Sequence, residues 1–371
     1  MMQNVKINSY QFLVLVIFFT VGTSILMVPS ALAKVAKQDA WIAAILGTVI
    51  GLLVVWLFTK IGLWFPNLTF VQMNETLFGK WIGKAFSLLF LFMTLLYSAI
   101  LLYYSGSFLT THVMPNTPMA ATNILMAIIL VMAVRLGLET IARSAEILTG
   151  VFFLLFIILV VFLAPQIKFE NIEPVFVADI KSIAESSLTI MIVSTVNAVS
   201  LLMIFPASIN QPKSAKKSFF IGNLIGGLII IIITFLCIFV LGADLITRQE
   251  YPTYSLAKMI NIGNFVNRVE ALMAALWIIC LYYKMVLYFY ASVLGLAQIL
   301  NLKDYRPLTY PLGMIVIVLS LVVFPNVIEQ HIFDDTISKY FSLMIGLLLP
   351  LLMVIVYTLR KKQFKKDSNS S

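Results

Sequence analysis

The sequence predicts an all-α polytopic membrane protein of ten transmembrane helices, built as two five-span halves that enter the membrane in opposite directions. Three observations carry this. Of 371 residues, 61% are hydrophobic and 11% charged, and the mean hydropathy is +1.02, the composition of a chain whose solvent is lipid. Ten apolar runs are long enough to span. Two of them, the first and the sixth, are interrupted by residues that make poor helices. Residues 1–371 therefore read as one transmembrane domain, with one repeat at about 10–165, a second at about 186–359, and a basic tail at 360–371.

The first span, Tyr10–Ala33, holds the stretch around which the chain is organised, Phe18 to Ser30, FFTVGTSILMVPS. Backbone groups cannot stay unpaired against lipid, so weak helix formers at membrane depth are tolerated only beside protein or a watery cavity. Gly22, Thr23, Ser24 and Pro29 thus predict a broken helix next to a binding site. The freed N–H groups from Thr23 through Ile25 to Leu26 would sit at the positive end of the second half-helix, where a carboxylate is favoured. Lys6, the apolar run and Ala31-Leu32-Ala33 also spell a secretory signal with a cleavage site. The length of the run and its polar interruptions favour a span.

The second span is Ala40–Gly62, and the amphipathic stretch Asn67–Lys80 predicts a helix at the interface with Trp81 as an aromatic anchor. The third, Trp81–Thr110, carries Tyr97 at the depth of a central pocket, with Tyr103 and Tyr104 read as outer-belt residues. Met119–Arg135 and Ser144–Ala164 follow, joined by a segment in which Glu139 and Arg143 form an i, i+4 pair worth little at a wet surface. Lys168–Glu185 reads as an outer loop with an interfacial helix.

The sixth span, Ser186–Ser208, places Thr195, Asn197 and Ser200 at mid-span with Pro206 beyond. Its phrase from Ser200 through Leu201 to Pro206 nearly repeats Ser24 to Pro29. Spans one and six of ten are equivalent places in two halves. Five spans per half is odd, so the second half enters upside down, and interrupted helices at matching places point to a midplane site. Ser218–Gly242 is the seventh span, and Asp244–Asn264 a second outer segment with a helix.

The eighth span, Val266–Leu300, holds the most expensive residue of the chain. Lys284 lies near mid-membrane in WIICLYYKMVLYFY, where a lysine costs roughly 2.5 to 3.5 kcal/mol even on the lenient insertion scale. It is by default a functional candidate, and Tyr288 shares its face one turn on. The alternative role is a structural cation capping the carbonyls of a broken neighbour. Thr309–Pro325 and Ile337–Leu359 complete the count.

Alternating the connections places 16 of the 25 basic residues on the side of both termini, eight on the other, and Lys284 within a span. Excess Lys and Arg mark the cytoplasmic face, so both termini are expected inside. Cys237 and Cys280 lie in apolar runs and suggest neither a disulfide nor a metal site, and His112 and His331 read as interfacial residues rather than ligands. With no catalytic constellation the sequence excludes an enzyme, and it calls for no cofactor and no metal.

Read together, the ten spans and their punctuation resemble the B subunits of spore germinant receptors, the GerAB-type spore permeases of the amino acid-polyamine-organocation superfamily. The resemblance runs from about Lys6 to Arg360. It rests on the Gly22–Pro29 break, GKWIG at Gly79–Gly83, GLETIAR at Gly137–Arg143 followed by Ser144-Ala145-Glu146, Pro174 after Asn171-Ile172, the Asn197–Pro206 break, and Trp277–Tyr290 followed by Ala291 and Gly295. It implies a LeuT-type 5+5 inverted repeat with broken helices 1 and 6. It also implies a germinant pocket between spans one, three, six and eight, and assembly with A and C subunits in the inner spore membrane. Carried over by position, the pocket would use Gly22, Thr23, Ser24 and Ile25, Tyr97, Asn197, Ser200 and Leu201, and Lys284 with Tyr288. The expected function is a germinant-sensing subunit that binds a small molecule, an amino acid by expectation, and signals to its partner subunits. The alternative is a proton-coupled amino acid transporter with Lys284 as the titrating group.

Overall fold

The computed structural model describes residues 6–259 and 269–368. Among them, eight helical stretches are long and apolar enough to cross a membrane, and Ser9–Val21 and Arg306–Val322 are shorter apolar helices. Span one is α1 (Ser9–Val21) and α2 (Ser24–Ala36); span two is α3 (Ala40–Trp64). The short α4 (Phe70–Phe78) precedes span three, α5 (Lys80–Phe108), and spans four and five are α6 (Met119–Leu136) and α7 (Leu138–Leu163). Span six opens with α8 (Ile180–Ser194) and continues as a 3₁₀ segment, Val196–Met203. Span seven is α9 (Pro212–Leu241); α10 (Ala243–Thr247) and α11 (Pro252–Lys258) cross the outer segment; spans eight and nine are α12 (Glu270–Ile299) and α13 (Thr309–Val322). Span ten is a composite of α14 (Val327–Ile332), α15 (Ser338–Leu343) and α16 (Leu349–Ser368) joined by π-helical turns at Phe333–Ile337 and Met344–Leu348. With α1 and α2 as halves of one crossing, the ten predicted crossings are all present.

The helix expected in Asn67–Lys80 is α4, capped by Thr69 and Gln72, and Trp81 after it is 85% exposed. Two boundaries differ from the sequence reading. Span six begins at Ile180, six residues before Ser186, and span ten begins at Val327, ten residues before Ile337. Both extra stretches carry charged residues that hydropathy assigns to loops. Here they belong to helices, with Lys181, Glu185, Glu329 and Asp335 exposed and Gln330 buried. The expected start of span eight at Val266, the outer segment beyond Met259, and Arg268 lie outside the described residues.

The face that holds both ends of the chain is closed. Asn8 and Gln11 form a reciprocal cap on α1, each side chain accepting from the other's backbone N–H. Just before it, Ile7 N–H donates to the Ser208 carbonyl at 2.9 Å and Asn210 N–H returns to the Ile7 carbonyl at 3.1 Å, a two-residue parallel bridge to the chain after span six. Above the bridge, Phe12, Phe205 and Phe219 pack with ring centroids 5.4 to 5.9 Å apart. Burial of these rings seals the terminal face beneath both breaks.

At the opposite face the Asp39 carboxylate, itself fully buried, accepts three backbone N–H groups, from Phe176 at 2.8 Å, Val177 at 2.7 Å and Ala178 at 2.8 Å. Charge-assisted bonds of this kind are about twice as strong as neutral ones. They pin the loop that leads into span six onto the start of span two.

Candidate functional site

The first break is a tight one. α1 ends at Val21, Gly22 adopts φ +22°, and α2 starts at Ser24, with Leu26 and Met27 N–H both directed to the Thr23 carbonyl. The N–H groups ahead of them are those a helix start leaves without partners. Gly22 is required for space as well as for conformation, since a Cβ there would lie 2.4 Å from Lys284 Cδ.

The second break lies at Thr195, two residues before the Asn197 of the sequence reading. α8 stops at Ser194, and the Val193 carbonyl near its end accepts the Lys284 ammonium at 2.9 Å. Lys284 is 2% exposed. Its ammonium also approaches Thr23 Oγ1 at 3.5 Å and lies 5.3 Å from the centre of the Phe19 ring. One lysine on span eight thus bridges the breaks of spans one and six, at the negative end of a half-helix that favours a cation. This is the carbonyl-capping contact weighed for it, made by a residue that also lines the cavity.

Span seven supplies a second bridge. Asn223 Nδ2 donates to Thr20 Oγ1 at 3.2 Å and to Thr195 Oγ1 at 3.1 Å, tying the residues beside both breaks. The sequence offered no sign of this, because Asn223 sits in a glycine-rich stretch that reads as helix packing.

Above the breaks a cavity of about 360 Å³ runs toward the face opposite the termini, within the size range of small-molecule sites. Of the residues expected in a pocket, Thr23, Tyr97, Asn197, Lys284 and Tyr288 line it. Gly22, Ser24, Ile25, Ser200 and Leu201 do not; Ser24, Ile25, Ser200 and Leu201 are buried in packing. The Ile25 carbonyl accepts from Thr253 Oγ1 at 2.8 Å, and Ser200 Oγ donates to the Asn197 carbonyl at 3.0 Å. Asn197 is 7% exposed, and its Oδ1 has no hydrogen-bond partner.

Spans three and ten form the wall. Tyr97 stacks edge-on against Tyr288 at 5.7 Å, and its hydroxyl reaches Ser342 Oγ at 2.7 Å and the Ser338 carbonyl at 3.2 Å. Two turns outward, the Tyr104 hydroxyl donates to Asp334 Oδ1 at 2.6 Å. Tyr104 is therefore a buried cavity residue rather than a member of an outer belt, and His331 also lines the outer end. Glu250, from the outer segment, completes the rim with an Oε1 that has no hydrogen-bond partner. Burial first, and then the Glu250 charge, hold the neighbouring Tyr251 hydroxyl well above the usual tyrosine range. Among the described residues no group of three His, Cys, Asp or Glu is placed to hold a metal ion.

An all-helical membrane fold with two broken helices meeting beside one cavity defines a molecule of the LeuT type. The chain is similar to the crystal structure of MhsT in complex with L-phenylalanine, with a TM-score of 0.69 at 14% identity over 96% of this chain and 99% of that one. It is similar also to Mhp1, a nucleobase-cation-symport-1 family transporter in a closed conformation with bromovinylhydantoin bound, with a TM-score of 0.71 at 9% identity over 97% of this chain and 80% of that one. These likenesses establish the fold alone. The family is set by sequence: the profile described as Spore germination protein matches residues 6–328, and Spore germination protein KB of Bacillus subtilis (strain 168) is 31% identical over 371 residues, 99% of this chain and 98% of that one. The chain belongs to the spore permease family of spore germination proteins.

Proposed function

We propose that the protein is the germinant-sensing subunit of a spore germination receptor and binds an amino acid in the cavity above the two breaks. The observation that carries this reading is the meeting of Thr23, Asn197, Lys284 and Tyr288 on one cavity floor. Lys284 and the head of α2 offer donors to a carboxylate, and the unpartnered Asn197 Oδ1 offers an acceptor to an ammonium. Binding would shift an equilibrium between two arrangements of the helices, and A and C subunits in the inner spore membrane would read that shift. Only a difference in affinity between the arrangements can drive such a signal. Both termini are assigned to the cytoplasmic side from the charge distribution.

The second reading, a proton-coupled amino acid transporter, is favoured by the likeness of the fold to solved transporters. Labelled amino acids presented to the purified protein in proteoliposomes separate the two. A sensor binds without accumulating ligand, and sustained uptake would favour the transporter. In sodium-coupled proteins of this fold, spans one and eight build an ion site, and Lys284 is proposed to take that place as a fixed cation. Wild-type binding is then expected to be indifferent to sodium. A Lys284→Met variant that responds normally and shows no sodium dependence sinks the assignment.

A further inference from the structure

A second cavity, of about 480 Å³, shares no lining residue with the first. It lies in the seam between spans four and nine, α6 and α13, which run in opposite directions. Asn123 Nδ2 donates to Ser320 Oγ at 3.0 Å at one end of the seam, and Arg135 Nη1 donates to the Arg306 carbonyl at 3.3 Å at the other. The walls are apolar. Ile128, Met132, Leu136 and Met314 are each about half exposed or more, so the seam opens outward to lipid rather than into the bundle.

Arg135 is the only charged side chain among the described residues that line this seam. It is half-buried, with its guanidinium carbon 4.2 Å from the centre of the Tyr310 ring, a contact that fixes the side chain at the mouth. The bond to the Arg306 carbonyl is the one hydrogen bond it makes among the described residues, and a guanidinium has five N–H groups in a fork that matches phosphate. The carboxylates nearby are engaged elsewhere: Glu139 pairs with Arg143, and Asp304 accepts the Arg306 N–H at 3.1 Å. The mouth therefore keeps its positive charge.

The length of the groove selects its occupant. From Arg135 to Ala127 it follows eight residues of α6, about 12 Å at 1.5 Å per residue, and the Asn123 to Ser320 bond closes the seam beyond. That is less than half of a hydrocarbon core of about 30 Å. A transmembrane helix of a partner would cross both leaflets, whereas one acyl chain of a lipid occupies one. Basic pockets between helices at the cytoplasmic surface are sites for anionic headgroups.

We propose that the seam between spans four and nine is a binding site for an anionic phospholipid, one acyl chain lying along Val131 and Ile128 and the phosphate resting on Arg135. The site is separate from the amino acid cavity and does not depend on it.

The test is native mass spectrometry of the full chain, delipidated in detergent and titrated with phosphatidylglycerol or phosphatidylcholine of identical acyl chains. Phosphatidylglycerol is expected to fill the first site at least about fivefold more tightly, the worth of one basic residue at a membrane surface. Arg135→Gln is expected to bring the ratio toward one, and Arg135→Lys to keep most of it. Lys213→Gln, which removes an exposed base elsewhere on the same face, is expected to leave the ratio unchanged. Ile128→Trp, which fills the groove from a half-exposed position, is expected to weaken both lipids alike. A wild-type ratio near one overturns the inference, as does a ratio that Arg135→Gln leaves unmoved or that Lys213→Gln lowers as much. Displacement of the lipid by soluble glycerol phosphate would assign the mouth to a free anion and overturn it too. A dimer that Ile128→Trp abolishes while lipid stays bound would make the seam a contact between two copies of the chain, and the lipid assignment would fall.

Discussion

Lys284 has three N–H groups and uses one on the Val193 carbonyl and one toward Thr23, which leaves a third for whatever enters the cavity. Its replacement by Met leaves that carbonyl unpaired at a cost of roughly 1–3 kcal/mol. The variant is expected to melt at a lower temperature and to lose ligand affinity at least about tenfold, both measurable on purified protein. Gly22→Ala strikes the same contact from the other side. The added methyl would meet Lys284 Cδ in a backbone conformation that alanine rarely adopts. A loss of about 1–3 kcal/mol is expected from strain of this kind, read as a fall in the thermal midpoint. Lys284 stood out in the sequence because a charge within an apolar run is costly and needs a partner, structural or functional. Glu250 and Asp334 did not, because carboxylates near the ends of spans look like loop residues whether they face water or a cavity. Tyr104 was misplaced for a related reason: depth along a helix can be read from a sequence, but the neighbour it faces cannot.

At the scale of elements, span ten was the least legible. Its first ten residues hold Glu329, Asp334 and Asp335, so hydropathy places the start of the span after them. The structure continues the helix through them by α14 and one π-helical turn at Phe333–Ile337, an irregularity that is frequent at functional positions. Neighbouring elements are coupled by single residues that no local pattern announced. Asn223→Leu would remove both links across the breaks and leave the Thr20 and Thr195 hydroxyls short of a donor. A destabilisation of about 1–3 kcal/mol is expected, checked by denaturation in detergent. Asp39→Ala releases three amides of the loop before span six. Faster proteolytic cleavage between residues 173 and 178 is the expected result, with the other loops unaffected.

At the scale of the whole molecule, composition and ten apolar runs carried the fold class, and the matched interruptions in spans one and six carried the idea of two broken helices. The repeat boundaries at about 10–165 and 186–359 are a proposal that rests on the odd number of spans in each half and on the matching interruptions. The closed terminal face was invisible to the sequence, because it joins residues some two hundred positions apart. It predicts that Ile7→Cys with Ile209→Cys will cross-link under mild oxidation, the two backbones being bridged, with a shift in gel mobility as the readout.

The two hydrogen bonds at Ile7 have a mechanical meaning. They fasten the feet of the broken spans to each other, so spreading them at that end would cost both bonds. If binding moves these spans, the unfastened ends near Lys34 are the ones expected to swing, with the bridge as a fulcrum. Motion of that kind would suit the proposed sensing role, since it would shift the far flank of the molecule and leave the bridged end in place.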